Sequence, residues 1–262
     1  MDVERRTISL PDARPPAGLR LYAIGDVHGQ RDAMFEIRRR IDADLEDRAP
    51  ADWREIWLGD FVDRGDDSCG VIEALTTWPQ AARRICLRGN HDDYMYSFLE
   101  TGDPVTLQHW LANGGLMAFA SYGIDATPAL YRGDRELASS LRLDLEKAMP
   151  AHHRGFLERL PLQVRFGDFG FAHAGLRPGV AWDAQTPRDL MWIRDAFLDH
   201  PGPHEVVVVH GHTPTRGVEV RPARICVDTG CGKGGDLSAI VIEDDSIALL
   251  EEGGRRPLSL PR

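Results

Sequence analysis

Five times along this 262-residue chain a short apolar run gives way to glycine and a cluster of carboxylate, imidazole or amide side chains. The segments are LYAIGDVHG (21–29), IWLGDFVDRG (56–65), ICLRGNHD (85–92), FGFAHAG (169–175) and VVVVHGHTP (206–214). Apolar runs this short, bounded by glycine, suit buried strands rather than helices. In parallel α/β sheets the side chains just past the carboxyl ends of the strands converge on one crevice, where ligands bind. A single GDxHG or GNHD could be a turn whose Asp or Asn caps the next helix. Five such loops in order, each directly behind a strand, predict one shared site. Carboxylate oxygens, imidazoles and an amide oxygen suit hard or borderline divalent cations, and no cysteine stands among the polar residues of the five loops, Cys86 lying in the apolar run before one of them.

Between these loops the pattern alternates. LRLYAI is followed by a helical segment from about Arg31 to Leu45, EIWL by a helix near Val71 to Trp78, and RRICL comes next. Such alternation predicts βαβ units and a mainly parallel sheet. Strand signals fade over about 103–160, where LQHWLANGGLMAFASYG and RELASSLRLDLEKAM have helical periodicity, so a helical insertion is expected there. Strands return with LQVRF, FGFAHA, EVVVVHG, ARICVDT, LSAIVI and IALLE, with a helix near Arg188 to Leu198. Glu243, Asp244 and Asp245 fit a solvated hairpin turn. Residues 1–18, polar and rich in Arg and Pro, are expected to form a partly ordered leader, followed by one domain over 19–262.

Charge and cysteine usage narrow the function classes. With 41 acidic and 31 basic residues the net charge is -10, which argues against a surface that neutralises a nucleic-acid duplex but leaves room for small phosphorylated substrates. Four cysteines without a CxxC pair point to reduced thiols in a cytoplasmic protein. No apolar stretch approaches the roughly 20 residues that span a bilayer, so no membrane partner is expected. The sequence carries no signal for an oligomeric state.

The order GDVHG, GDFVDRG, GNHD, AHAG and GHTP resembles the phosphoprotein phosphatase family of the calcineurin-like metallophosphoesterases, in its phage lambda phosphatase-like and bacterial branch. HWLANGG (109–115), DLMWIR (189–194) and VDTGCGKGGDLSAI (227–240) extend the resemblance from about Leu19 to Ile242. It implies a four-layer α/β/β/α sandwich with two mixed sheets. It also implies that Asp26 and His28 ligate a first metal, that Asp60 bridges, and that Asn90, His173 and His212 ligate a second. Two cations about 3.5 to 4 Å apart clamp a phosphoryl group and lower the pKa of a shared water, giving a hydroxide nucleophile by direct attack. Mn is the expected metal, and the same donors accommodate Fe, Zn, Co, Ni or Mg.

The resemblance makes His91 the general acid, with Asp63 orienting its imidazole, and Arg64 and Arg194 phosphate clamps, with Asn90 also touching phosphate. Each has a plainer reading as a structural histidine or a surface ion pair. His210 competes with His212; the family pattern selects the histidine after the glycine and leaves His210 a supporting or structural role. Pro214 stands where other metallophosphoesterases place a further histidine ligand. GCGKGG (230–235) lacks the GK[ST] of a P-loop and suits a loop at the rim of the site. Trp110 is expected in the core of the insertion, and Asn113 is a candidate for contact with the site.

Two substrates compete, a phosphoprotein as the first reading and a dinucleoside polyphosphate as the alternative. DRG, GHTP, HWLANGG and WIR favour a phosphoserine or phosphothreonine phosphatase, with phosphotyrosine also admitted. Asp92, where protein phosphatases usually carry Glu, and the DTGCxxGG segment favour a dinucleoside polyphosphate hydrolase such as a diadenosine tetraphosphatase, although those often lack an Asp corresponding to Asp63. An inactive phosphate-binding relative would have lost a ligand or the proton donor, and none is missing here.

Overall fold

The computed structural model describes residues 6–260. Among them the strands are β1 (Leu19–Ile24), β2 (Asp52–Trp57), β3 (Arg84–Cys86), β4 (Gln163–Phe166), β5 (Phe169–Ala172), β6 (Val207–His210), β7 (Glu219–Arg221), β8 (Arg224–Cys226), β9 (Ala239–Glu243), β10 (Ser246–Glu251) and β11 (Gly254–Pro257). The helices are α1 (Arg31–Asp47), α2 (Ser68–Thr77), α3 (Asn90–Thr101), α4 (Pro104–Ala112), α5 (Gly115–Ser121), α6 (Arg135–Ala148), α7 (Ala151–Arg159), α8 (Pro187–Trp192) and α9 (Asp195–Leu198).

The strands form two mixed sheets, ordered β11-β10-β9-β1-β2-β3 and β4-β5-β6-β8-β7. Within them β1, β2 and β3 run parallel, as do β5, β6 and β8, while β9 to β11, β4 and β7 pair antiparallel. Strand periodicity assigns the layers. Leu21 and Ala23 of β1 face Phe171, Val207 and Val209 across the gap between the sheets. Tyr22 and Ile24 point the other way, into a core shared with the helices. Behind the second sheet, Ala172, Val206 and Val208 pack on Leu190, Ile193 and Phe197. Sheet on sheet with helices outside both gives the expected four layers.

The segment 103–160 carries α4 to α7, whose Trp110, Phe119, Leu141 and Leu157 join the same core as α1 to α3. Of the expected leader, residues 1–5 lie outside the described residues. Ile8 bridges to His204 and Leu10 donates to the Pro222 carbonyl at 2.7 Å, so Ile8, Leu10 and Ala13 are buried among residues of both sheets. The helix expected near Arg188 to Leu198 is two pieces. Ile193 (ψ 144°) and Arg194 (φ -133°, ψ -109°) leave helical space between α8 and α9, which turns Arg194 toward Thr213.

Candidate metal centre

The ends of β1, β2, β5 and β6 and the start of α3 meet at one point, bringing together Asp26, His28, Asp60, Asn90, His91, His173 and His212, all nearly fully buried. The loops that carry them are strained. His28, Asp60, Asp63, Arg64 and His212 all have φ between 48° and 76°, a region that costs a side-chain-bearing residue about 1–2 kcal/mol. Surrounding contacts hold that geometry. Asp92, fully buried, accepts from the backbone N–H of Asp60 (2.8 Å), Phe61 (2.8 Å) and Gly89 (2.9 Å). Burial beside Asp60 pushes the Asp92 carboxyl up to about 8, and the Gly89 and Phe61 donors oppose that rise. Gly89 is required by proximity, since a Cβ there would lie 2.1 Å from Asp60 Oδ1.

Asp60 Oδ2 lies 3.5 Å from His28 Nε2 and 3.4 Å from His173 Nε2, between two groups of candidate ligands. One group is His28, Asp60 and His91; the other is Asp60, His173 and His212. Backbone carbonyls orient two of the histidines: His28 Nδ1 donates to Val62 (3.0 Å) and His173 Nδ1 to Leu58 (2.9 Å). That places the unprotonated Nε2 of each toward Asp60, as in metal sites whose histidines are held by their other nitrogen. His173 Nε2 is then 3.0 Å from Asn90 Oδ1, two lone pairs face to face, and His212 Nδ1 is 2.8 Å from the same oxygen. Asp26 Oδ1 and His212 Nε2 are buried with no hydrogen-bond partner.

Electrostatics agree. Burial lowers His28 to about 3, and burial with His173 lowers His212 to about 2, so both are neutral imidazoles. Burial and the nearby Asp228 and Asp60 push Asp26 well above the usual carboxylate range. Crowded carboxylates, neutral imidazoles and unpartnered buried acceptors fit a pair of divalent cations, whose charge would relieve the crowding.

His91 and Asp63 form a tight pair, His91 Nδ1 2.6 Å from Asp63 Oδ2. His91 N donates to Asp60 Oδ1 at 2.9 Å, which ties this pair to the central carboxylate. Arg64 reaches His28 Nε2 and, at 2.9 Å, His91 Nε2, so its guanidinium lies at the mouth of the site. Arg194 is exposed and donates to Thr213 Oγ1 at 3.4 Å, beside His212. His210 is separated from the cluster, packed on Phe197 and 3.4 Å from Arg224. Asn113 donates to the His109 carbonyl at the end of α4; the neighbouring Gly114 carbonyl is what meets the site, accepting from Arg64 N. The glycine-rich loop packs on His28, where a Cβ at Gly232 would lie 2.5 Å from the ring.

Three residues at the site were not assigned roles from sequence. Trp110 is fully buried as expected, but its Nε1–H also donates to Asp63 Oδ1 at 2.8 Å. Asp92 acts beneath the site as a staple between loops. Asp228 follows β8 and perturbs Asp26. Its segment, RICVDTG, has the same layout of apolar run, carboxylate and glycine as the five loops, so a signal was present.

A family model described as calcineurin-like phosphoesterase matches residues 19–241. A bis(5'-nucleosyl)-tetraphosphatase PrpE [asymmetrical] of Bacillus velezensis is 26% identical over 223 residues, covering 82% of this chain and 86% of its own length. A symmetrical bis(5'-nucleosyl)-tetraphosphatase of Bordetella pertussis is 29% identical over 271 residues, covering 86% and 92%. Among solved structures, the cold-active protein-tyrosine phosphatase of a Shewanella species superposes with a TM-score of 0.57 at 17% identity, over 95% of this chain and 84% of that one.

Proposed function

Since the chain belongs to the calcineurin-like phosphoesterase family and is a metal-dependent hydrolase, we propose that it cleaves dinucleoside polyphosphates at a two-metal centre held by Asp26, His28, Asp60, Asn90, His173 and His212. The observation that carries the metal assignment is the set of buried carboxylate and imidazole groups converging on Asp60 Oδ2, with Asp26 Oδ1 and His212 Nε2 left without a hydrogen-bond partner. Two divalent ions, Mn in our reading, would supply charge neutralisation and water activation.

The chain's own groups do the rest. Arg64 and Arg194 flank the centre and bind phosphoryl oxygens through guanidinium N–H groups. Asn90 turns Oδ1 toward His173 and His212, and its amide nitrogen donates to phosphate. His91 delivers a proton to the leaving oxygen from Nε2, with Asp63 holding Nδ1. Two features support the dinucleotide: the names of the curated relatives, and a cleft of about 1090 Å³ beside the centre, lined by Asp93, Arg188 and Trp192 among others. Trp192 lies edge-on to Tyr94 at 5.3 Å and 6.1 Å from the His212 ring, an aromatic wall on which a base could stack.

The 2.6 Å Asp63–His91 pair favours a second reading, hydrolysis of phosphoserine or phosphothreonine in proteins. An alkoxide leaves poorly without a proton, whereas a nucleotide phosphate leaves readily, so a well-charged donor matters more for the monoester. Offering Mn-loaded protein diadenosine tetraphosphate and a phosphopeptide side by side decides between them. We expect kcat/KM at least about a hundredfold higher for the dinucleotide, close to 3 kcal/mol of transition-state preference. The reverse preference would reject the proposed substrate, and the products, ATP with AMP or two ADP, report which anhydride is cut.

A further inference from the structure

A second cluster with metal-binding chemistry lies between α2 and α7, formed by residues that play no part in the centre described above. Glu73 Oε2 on α2 is 2.8 Å from His152 Nε2 and 2.9 Å from His153 Nε2, both on α7. The three candidate ligand atoms all lie within 4.8 Å of one another. We propose that Glu73, His152 and His153 form a third cation site, for a divalent transition metal of the Zn(II) class.

Three observations carry the assignment. Zinc binds imidazole nitrogen at about 2.0–2.1 Å and carboxylate oxygen at about 2.0–2.2 Å, so neighbouring ligand atoms around one ion lie about 3 Å apart. The two nitrogens stand at nearly that distance from a single carboxylate oxygen. Next, His153 is fully buried and its other ring nitrogen, Nδ1, is 2.9 Å from the Tyr122 hydroxyl, the outer hydrogen bond that fixes the ring of a metal-ligating histidine. Burial also holds His153 below its ordinary pKa, in the neutral form that ligates. Finally, Glu73 and His152 are about half exposed, which gives an ion a path in and leaves positions for water. Two imidazoles with one carboxylate and no thiolate is a donor set suited to zinc. An ion there would tie α2 to α7. Because the hydroxyl of Ser68, the first residue of α2, accepts from Asp63 N at 3.0 Å, the clamp stiffens the element that carries the Asp63 loop.

The test counts ions. Chelated protein is equilibrated against buffered Zn(II), and bound metal is measured by atomic emission for wild type, Glu73→Gln, His152→Ala and Asp60→Asn. The first two variants alter half-exposed side chains and should fold, which circular dichroism in chelator checks; His153→Ala would open the core. Wild type should hold one more equivalent per chain than Glu73→Gln or His152→Ala. Asp60→Asn should lose dimetal-centre ions yet still lose one further equivalent when combined with Glu73→Gln. Equal stoichiometry in wild type and Glu73→Gln would leave only a hydrogen-bonded carboxylate and two imidazoles, and the proposal would be overturned.

Discussion

Both oxygens of the Asp63 carboxylate are engaged, Oδ2 by His91 Nδ1 and Oδ1 by Trp110 Nε1, and Asp63 N donates to Ser68 Oγ. An imidazole whose partner is held at three points is preorganised for proton transfer. Replacing Trp110 with Phe keeps an aromatic ring against Phe98 and Phe119 and removes the N–H together with part of the buried ring, so turnover is compared on protein that circular dichroism shows to be folded. Turnover should fall about tenfold with KM little changed, roughly 1.4 kcal/mol in the barrier. His91→Asn should lower kcat by about 10²–10⁴ while leaving bound metal nearly unchanged. The pH profile gives a separate check. Burial alone would lower the His91 pKa, but the Asp60 charge and the Asp63 hydrogen bond outweigh it and raise it above the ordinary value. A proton donor with a raised pKa keeps its proton to higher pH than an ordinary imidazole, so activity should fall as pH rises through that value. That limb of the kcat profile should be absent in His91→Asn.

At the level of loops and helices, five residues in left-handed backbone converge on one site, and the fold tolerates them because of staples such as Asp92. Arg64→Gly and Arg64→Ala both remove the guanidinium, but only alanine keeps the strain at φ 66°. In chemical denaturation the glycine variant should be the more stable by about 0.5–1 kcal/mol, less than the full left-handed penalty because glycine also loosens the unfolded chain. A different device ties α1 to the first sheet. Asp44 accepts from Tyr22 (2.6 Å), Arg20 (3.1 Å) and Arg255 (2.6 Å), with Arg20 almost wholly buried. Asp44→Asn should destabilise by about 3 kcal/mol, the lower end for a broken buried pair because Glu243 still faces both arginines. Burial works against ionisation of Asp44, yet Arg255 and Tyr22 hold its pKa below the ordinary value. Its contribution is therefore complete above pH about 4 and fades as pH falls further, so the gap between wild type and Asp44→Asn in urea melts should narrow at low pH. The loops and helices were partly legible in the sequence. The strand-and-glycine loops announced themselves because residue type and position coincide in one short window. The break between α8 and α9, the hydrogen bond from Trp110 and the Asp44 cluster depend on partners 19 to 211 residues away, which local periodicity does not encode.

At the scale of the molecule, the proposed ligands are divided between the two sheets. Asp26, His28, Asp60 and Asn90 follow strands of the first sheet, and His173 and His212 follow strands of the second. Apolar packing between the sheets, from Leu21, Ile56, Phe171, Val207 and others, sets their spacing, and the site lies at the open end of that seam. Cations held there would add bonds across the seam in the folded chain alone, because the unfolded chain scatters the same six residues over positions 26 to 212. Folding and metal binding must then be linked. At a metal concentration about a hundredfold above Kd, one site stabilises by about 2.7 kcal/mol. For a domain of this size that corresponds to a Tm raised by about 5–10 °C. Chelation should lower the Tm of wild type by at least that amount, measured calorimetrically in Mn buffer against the same buffer with excess chelator. Asp60→Asn, which removes the carboxylate between the two ligand groups, should melt at the same temperature in both buffers apart from any contribution of the α2–α7 cluster, which Glu73→Gln in the same background removes. A wild-type Tm indifferent to chelator would mean that no cation joins the sheets. The two halves of the site would then be held together by the apolar seam and by the hydrogen bonds that His212 N donates to Asp26 Oδ2 and His173 Nδ1 donates to Leu58 O.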